Sequence, residues 1–330
     1  MRILLAPDKF RGTATAGEVI NALAGAFTAL GHTVDSKILS DGGEGFLDVF
    51  GGPNRSTVVT GPLGDEVEAH WRYSSKTAVI EMSQASGLAL VGGAEGNDAL
   101  AASTFGTGEL ISRALDAGAK RVIVGIGGSA STDGGLGALR ALEPLHRLRG
   151  VTMQIACDVR IPFLEAARVF APQKGASPKE VEFLSGRLVR LSQMFVSDYG
   201  VDVIDLVGGG AGGGLAGGLA AIGGQLESGF ELAAEEVDLA DAVERSDLVV
   251  TGEGFLDEES FDGKLVGGVA EYAESFGVPA VAIVGESFNG SNHSLGVVSL
   301  VEEFGRNRAM NDTLGCIGDA ARLVIERHRP

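Results

Sequence analysis

The chain is poor in several residues and patterns on which familiar enzyme classes depend. It has two cysteines, Cys157 and Cys316, among 330 residues. They supply neither a disulfide framework nor a zinc-ligand set, and they fit a reducing cytosol. The five histidines (His32, His70, His146, His293 and His328) are scattered and share no motif. No G-x-S-x-G elbow is present, which argues against an α/β-hydrolase. No G-x-x-x-x-G-K-[ST] loop is present, which excludes a P-loop NTPase. The strict G-x-G-x-x-G fingerprint is missing from the first strand–helix unit, which argues against a standard dinucleotide site there. Positive charge is also scarce: 26 Lys and Arg stand against 44 Asp and Glu, a formal net charge of −18. That field repels a phosphate backbone, so nucleic acid is not an expected partner.

Long apolar runs are lacking too. The opening MRILLA run breaks at Pro7 and Asp8 and reads as a buried first strand, not a signal peptide. The uncharged stretch Leu206–Leu226 contains ten glycines, which suits a lipid-facing helix poorly. The expectation is a soluble, cytoplasmic protein with no membrane partner.

Glycine, by contrast, is abundant, at 51 residues, about twice the usual ~7%. Hydrophobic (45%) and charged (21%) fractions are ordinary for a globular protein, which excludes wholesale disorder. At roughly 150 residues per domain the length suggests two domains.

The chain begins in strand–helix alternation. RILLAP reads as a strand. Thr15–Leu30 has a helical apolar period, with Thr15 and Glu18 forming a capping box and Gly31 ending the helix. Thr33–Leu39 is a second strand. In the middle, Arg55–Thr60, Val67–Tyr73 and Thr77–Met82 read as a meander. A helix at about Thr107–Ala117 and a strand at Arg121–Ile126 follow. The last 90 residues return to alternation: strands at Asp247–Thr251, Ala280–Gly285 and Gly296–Leu300, helices at Lys264–Phe276 and the C-terminus. Two early and three late strands predict an α/β fold with one doubly wound parallel sheet, into which a second domain is inserted. The expected division is 1–55 plus 241–330 for the outer domain and 56–240 for the insert. A ligand is expected between them, near the C-terminal ends of the parallel strands.

Three groups of residues suggest chemistry. First, the strand RVIVGI runs into Gly127, Gly128, Ser129, Ala130, Ser131, Thr132, Asp133, Gly134 and Gly135. Glycines let the backbone approach an anion, and exposed N–H groups with a helix N-terminus can hold it; Ser129, Ser131 and Thr132 add hydroxyls. A tight packing turn is the bland alternative. Second, acids follow strand ends in glycine-rich turns: Asp8, then Asp41 and Glu44 in SDGGEG, then Glu253 and Asp257 beside Gly252 and Gly254. They suit Mg²⁺ or a general base, although acids in such places also cap helices. Third, Lys9, Arg11, Lys174 and Lys264 are cations in or beside such turns, suited to phosphate contacts. Carboxylates, lysines, hydroxyls and glycine loops together suit phosphoryl transfer, which relies on positioning and charge stabilisation.

The segments APDKFRGT, SDGGEG, TGPLGD, TAVIEM, ASGL, TFGTGELI, IGGSASTDGG, ACDV, PQKGA and TGEGFLD…GK occur in this order from Ala6 to about Gly285. Together they resemble the bacterial glycerate kinase type 1 family. The resemblance implies a flavodoxin-like domain with an inserted α/β domain. It also implies ATP- and Mg²⁺-dependent phosphorylation of D-glycerate, commonly to 2-phosphoglycerate. A cleft lined by Asp8, Lys9, Asp41, Glu44, Ser129, Asp133, Asp158, Lys174, Glu253 and Asp257 follows from it. Within that cleft Asp41 or Asp133 is a candidate base, with Asp8 and Lys174 also in catalytic positions. Lys9, Gly127, Gly128, Ser129, Gly134, Gly252, Glu253 and Asp257 would contact the nucleotide, and Glu44 and Asp158 the metal. The expected partner is a small hydroxy acid, and a homodimer is compatible with the sequence.

The chain departs from the family pattern at several points. Thr132 stands where the pattern has asparagine. The segment after Cys157–Asp158 lacks the usual asparagine and glycine-rich run. The stretch between Gly137 and Val151 is short. Phe255 and Glu259 replace arginine and glutamine. Arg160 and Arg168 are the expected compensating cations. Binding without turnover, or turnover of another hydroxy acid, are the alternative readings.

Overall fold

A computed structural model describes residues 1–10, 12–257, 260, 265–287 and 295–327. Strand β1 (Arg2–Leu5) buries Ile3, Leu4 and Leu5 completely. A strand covered on both faces must be apolar throughout, which accounts for the uninterrupted run. It pairs in parallel with β2 (Thr33–Ser36), after the Ala16–Ala29 helix. That helix starts at the predicted capping box: Thr15 Oγ1 accepts the Glu18 N–H, and the Glu18 carboxylate accepts the Thr15 N–H.

The chain then leaves this sheet. The second sheet runs β3 (Arg55–Thr60), β4 (Glu66–Ser74), β5 (Thr77–Glu81), β6 (Arg121–Gly125), β7 (Thr152–Ala156) and β8 (Gln225–Glu227), in that spatial order. The β3–β4 and β4–β5 pairs are antiparallel, giving the expected meander; the β5–β6, β6–β7 and β7–β8 pairs are parallel. Its core includes Trp71, Ile80, Leu110, Val124, Phe163, Leu188 and Phe195. The longest helix, Pro178–Tyr199, supplies Leu184, Leu188, Leu191 and Phe195 to that core and carries its own Ser177–Glu180 capping box. It was not anticipated from the sequence.

The chain returns to the first sheet as β9 (Leu248–Leu256), β10 (Ala280–Ser287) and β11 (Gly296–Ser299). All pairs are parallel, in the order β11-β10-β9-β1-β2. Counted within this unit the order is 2-1-3-4-5, the flavodoxin-like doubly wound arrangement.

The two compact units are Met1–Ser40 with Ala233–Pro330, and Asp41–Leu232. The boundaries differ from the predicted 55/56 and 240/241. The reason is local. The SDGGEG turn after β2 packs on the second sheet, where Gly127 donates to the Gly42 carbonyl and Leu47 donates to Glu81.

Candidate active site

In the outer unit, the loop after β1 continues along β9: Ala6 donates to Val250 O and Asp8 to Gly252 O. Gly252 allows β9 to pass β10 closely, because a Cβ there would lie 2.0 Å from the Ile283 carbonyl oxygen. A cavity of about 530 Å³ opens at this edge of the sheet. Asp8, Lys9, Glu253, Asp257, Phe255 and Arg306 are among its lining residues. The edge is the topological switch point beside β1, where open α/β sheets bind ligands. Asp8 Oδ1 accepts the Lys9 N–H at 2.7 Å, and Asp257 Oδ1 accepts the Ser260 N–H at 3.0 Å. Among the described residues, the cations lining this cavity with Phe255 are Lys9 and Arg306. The expected compensators, Arg160 and Arg168, belong to the other unit, where the exposed Arg168 side chain pairs with Glu165. Arg11, Glu259 and Lys264 lie outside the described residues.

In the inserted unit, the turn after β6 meets the acid turn that follows β2. A Cβ on Gly127 would lie 2.5 Å from Gly43 Cα, and one on Gly42 would lie 2.6 Å from the Ala156 oxygen. Only glycine lets the two turns approach this closely. Asp41 is exposed, and its Oδ1 accepts the Gly43 N–H at 3.1 Å. Glu44 is exposed on the same turn.

Several backbone donors of this turn are used within the protein itself. The N–H groups of Gly127, Ala130 and Gly134 donate to Gly42, Ser86 and Gly213 carbonyls. Those of Gly135 and Gly137 donate to the Asp133 carboxylate, each at 3.1 Å. The following helix, Leu136–Ala141, is only six residues long, and Asp133 already occupies its N-terminus. An anion therefore does not find a free helix end here. Asp133 also receives the Thr104 N–H and hydroxyl at 2.9 Å. It is buried, and both carboxylate oxygens accept donors of the protein.

The hydroxyls remain. Ser131 Oγ and Thr132 Oγ1 are buried with no hydrogen-bond partner among the described residues. The Lys174 ammonium, also buried, donates to Ser129 Oγ at 2.7 Å and to the Ser131 carbonyl at 2.6 Å. Burial pushes its pKa down to about 7, against the opposing pull of the Asp133 charge. Asn97 ties the two segments together, donating to both Ala130 O and Lys174 O.

Asp158 accepts the Gly229 and Phe230 N–H groups at 3.0 and 2.9 Å, capping the Gly229–Glu236 helix. Burial raises its pKa to about 6; the backbone bonds oppose this and the Asp41 charge adds to it. Among the described residues no three His, Cys, Asp or Glu side chains gather to hold a metal ion. Mg²⁺ in phosphoryl-transfer sites is commonly held by substrate phosphates, water and one or two carboxylates. Asp8, Glu253 and Asp257, which line the outer unit's cavity, are carboxylates of the kind such a cation takes.

The glycerate kinase family profile matches residues 3–144 and 143–326, nearly the whole chain. The chain belongs to the glycerate kinase family. The kinase is 37% identical over 327 residues to the glycerate 2-kinase of Escherichia coli, covering 86% of this chain and 85% of that protein. It is also 37% identical over 332 residues to the glycerate kinase of Bacillus subtilis, covering 88% and 87%. A crystal structure of a Salmonella typhimurium LT2 protein assigned as glycerate kinase 2 matches all of this chain at 34% identity and a TM-score of 0.81. Among the described residues no helix of the kinase is long and apolar enough to cross a membrane.

The predicted site residues thus fall into two groups. Asp8, Lys9, Gly252, Glu253 and Asp257 gather at the outer unit's sheet edge. Asp41, Glu44, Gly127, Gly128, Ser129, Asp133, Gly134, Asp158 and Lys174 belong to the inserted unit. Thr104 and Asn97, which hold this second group in place, were not singled out. Thr104 lies within the motif TFGTGELI; Asn97 carried no signal at all.

Proposed function

We propose that this kinase transfers the γ-phosphoryl group of ATP to the 2-hydroxyl of D-glycerate, giving 2-phosphoglycerate and ADP. The bond from the γ-phosphorus to the β–γ bridging oxygen breaks, a bond to the glycerate oxygen forms, and the hydroxyl proton leaves to a base. The observation that carries this reading is a turn bearing three hydroxyls, Ser129, Ser131 and Thr132, with the buried Lys174 ammonium held on Ser129 Oγ and the Ser131 carbonyl. Such donors suit the anionic oxygens of the substrates. The family membership and the names of the relatives support it.

Asp41 is the better candidate for the base. It is exposed and spends one oxygen on Gly43, leaving the other to accept the hydroxyl proton. Asp133 holds the turn instead. Mg²⁺, when bound with the triphosphate, would neutralise its charge. Asp8, Glu253 and Asp257 line the outer unit's cavity, where carboxylates would meet it, and Lys9 and Arg306 line the same cavity as cations for phosphate oxygens.

The test is phosphorus NMR of the product formed from ATP, Mg²⁺ and D-glycerate. A 2-phosphoglycerate resonance is expected. A 3-phosphoglycerate resonance would overturn the assignment of the hydroxyl, and no phosphoglycerate at all would overturn the substrate.

A further inference from the structure

Lys174 is an unusual place for a cation that should bind a substrate. Its side chain is buried, and two of its three protons go to protein oxygens, Ser129 Oγ and the Ser131 carbonyl. The Phe170 ring lies 6.0 Å away. A lysine so enclosed contacts a ligand poorly. It can nevertheless fix what it holds. A hydroxyl oxygen that accepts from an ammonium cannot aim its own proton back at that ammonium. The Ser129 O–H must therefore point elsewhere, and no acceptor for it exists among the described residues. Ser129 is the most accessible of the three hydroxyls in the turn, at 9% exposure against 0% for Ser131 and 1% for Thr132. In the same turn the Ser131 and Thr132 hydroxyls are also buried without partners, so the turn carries more hydroxyl donors than the described residues accept.

We propose that Lys174 is a positioning residue that acts through Ser129, turning the Ser129 hydroxyl into a fixed donor for an anionic substrate oxygen. The acceptor is a carboxylate or a phosphate oxygen; both are anionic and take an O–H donor equally. The ammonium polarises the Ser129 hydroxyl, which strengthens the bond it gives. Asp133, the charged group bearing on Lys174 from the same turn, favours the protonated ammonium against the larger opposing effect of burial. This inference rests on the kinase reading above, which supplies the anion.

The experiment compares wild type with Ser129→Ala, Lys174→Met and the double variant. It measures kcat and both KM values by ADP release, and Kd for D-glycerate and for ADP by calorimetry. Melting curves establish that each variant is folded, and Ser129→Thr, which keeps the hydroxyl, is the rescue. Each single variant is expected to lose roughly 10- to 100-fold in kcat/KM, about the effect of one charge-assisted hydrogen bond. The double variant should lose no more than the worse single one, because the two residues act as a unit. A rise confined to KM and Kd for D-glycerate identifies the carboxylate as acceptor; one confined to the nucleotide identifies a phosphate. Ser129→Thr should recover to within a few-fold of wild type.

Multiplying losses in the double variant would overturn the claim that Lys174 acts through Ser129. Wild-type turnover with Ser129→Ala unchanged in both kinetics and binding would overturn the inference and leave the kinase reading intact. Wild-type binding without turnover, weakened tenfold or more by Ser129→Ala, would support the inference and remove the kinase reading. Wild type that binds neither anion would overturn both.

Discussion

Asp133 and Thr104 are joined twice at one oxygen: the Thr104 N–H and the Thr104 hydroxyl both donate to Asp133 Oδ2 at 2.9 Å. The Thr104 hydroxyl in turn accepts the Ala138 N–H at 3.0 Å. This pair locks the turn after β6 to the start of the Phe105–Asp116 helix. Asp133→Asn would present an amide N–H₂ to groups that are themselves donors. The expected cost is ~2–4 kcal/mol of stability, seen as a melting temperature lower by several degrees. Thr104→Val, which keeps the backbone donor, should cost ~1–2 kcal/mol. An unchanged melting temperature with kcat abolished in Asp133→Asn would instead make Asp133 the base.

Gly213 packs against the other side of this turn. Its φ is +68°, and a Cβ there would lie 2.0 Å from the Ser131 carbonyl oxygen, the oxygen that Lys174 also holds. Gly150 has a similar φ of +73° with nothing within 4 Å. Gly150→Ala should therefore cost only the backbone term, ~1–2 kcal/mol. Gly213→Ala should cost more than that and lower kcat/KM by disturbing Ser131. Equal melting temperatures for the two variants would show that the close approach has relaxed at no cost.

Lys174 makes stability depend on pH in a defined direction. Its folded pKa is about 7, against an ordinary value of 10.5. Between these values the unfolded chain holds a proton that the folded chain has released. The unfolding free energy therefore rises with pH across that window, and the cost of the buried charge is fully present below pH 7. Lys174→Met should flatten this rise. At pH 7 it should melt at or above the wild-type temperature, because an uncharged chain of similar volume avoids the desolvation cost. Melting temperatures from pH 6 to 10 check this; parallel profiles would contradict it.

Asp158 acts in the opposite window. Its folded pKa is about 6, above the ordinary 3.8, so between these values the folded chain binds the extra proton. Stability from this group is full below the lower value and is lost as pH rises through about 6. Asp158→Asn should remove that slope between pH 4 and 6. A slope unchanged in the variant would place its origin in another group.

Much of the fold was legible because period and capping are local signals. The Thr15–Glu18 box, the three-strand meander and the apolar strands β1, β9 and β10 of the outer sheet each announce themselves within a dozen residues. The Pro178–Tyr199 helix was overlooked even though Ser177, Pro178 and Glu180 spell a helix start. The glycine-rich runs read, in sequence, as anion-binding turns. Their glycines proved to be needed largely for close backbone approach, as at Gly127 and Gly213. What could not be read was how the donors are spent. Nothing in GGSASTDGG says that the Gly135 and Gly137 N–H groups end on Asp133, or that Lys174, more than 40 residues on, reaches Ser129. Those pairings exist only after β5, β6 and the Pro172–Lys174 turn are brought together.

The most direct measurement is coupled ADP release with ATP, Mg²⁺ and D-glycerate, with L-glycerate, tartronate and no acceptor as controls. ADP release should depend on D-glycerate and fall sharply in Asp41→Asn. ADP release independent of D-glycerate, or dependent only on another acid, would contradict the proposed function.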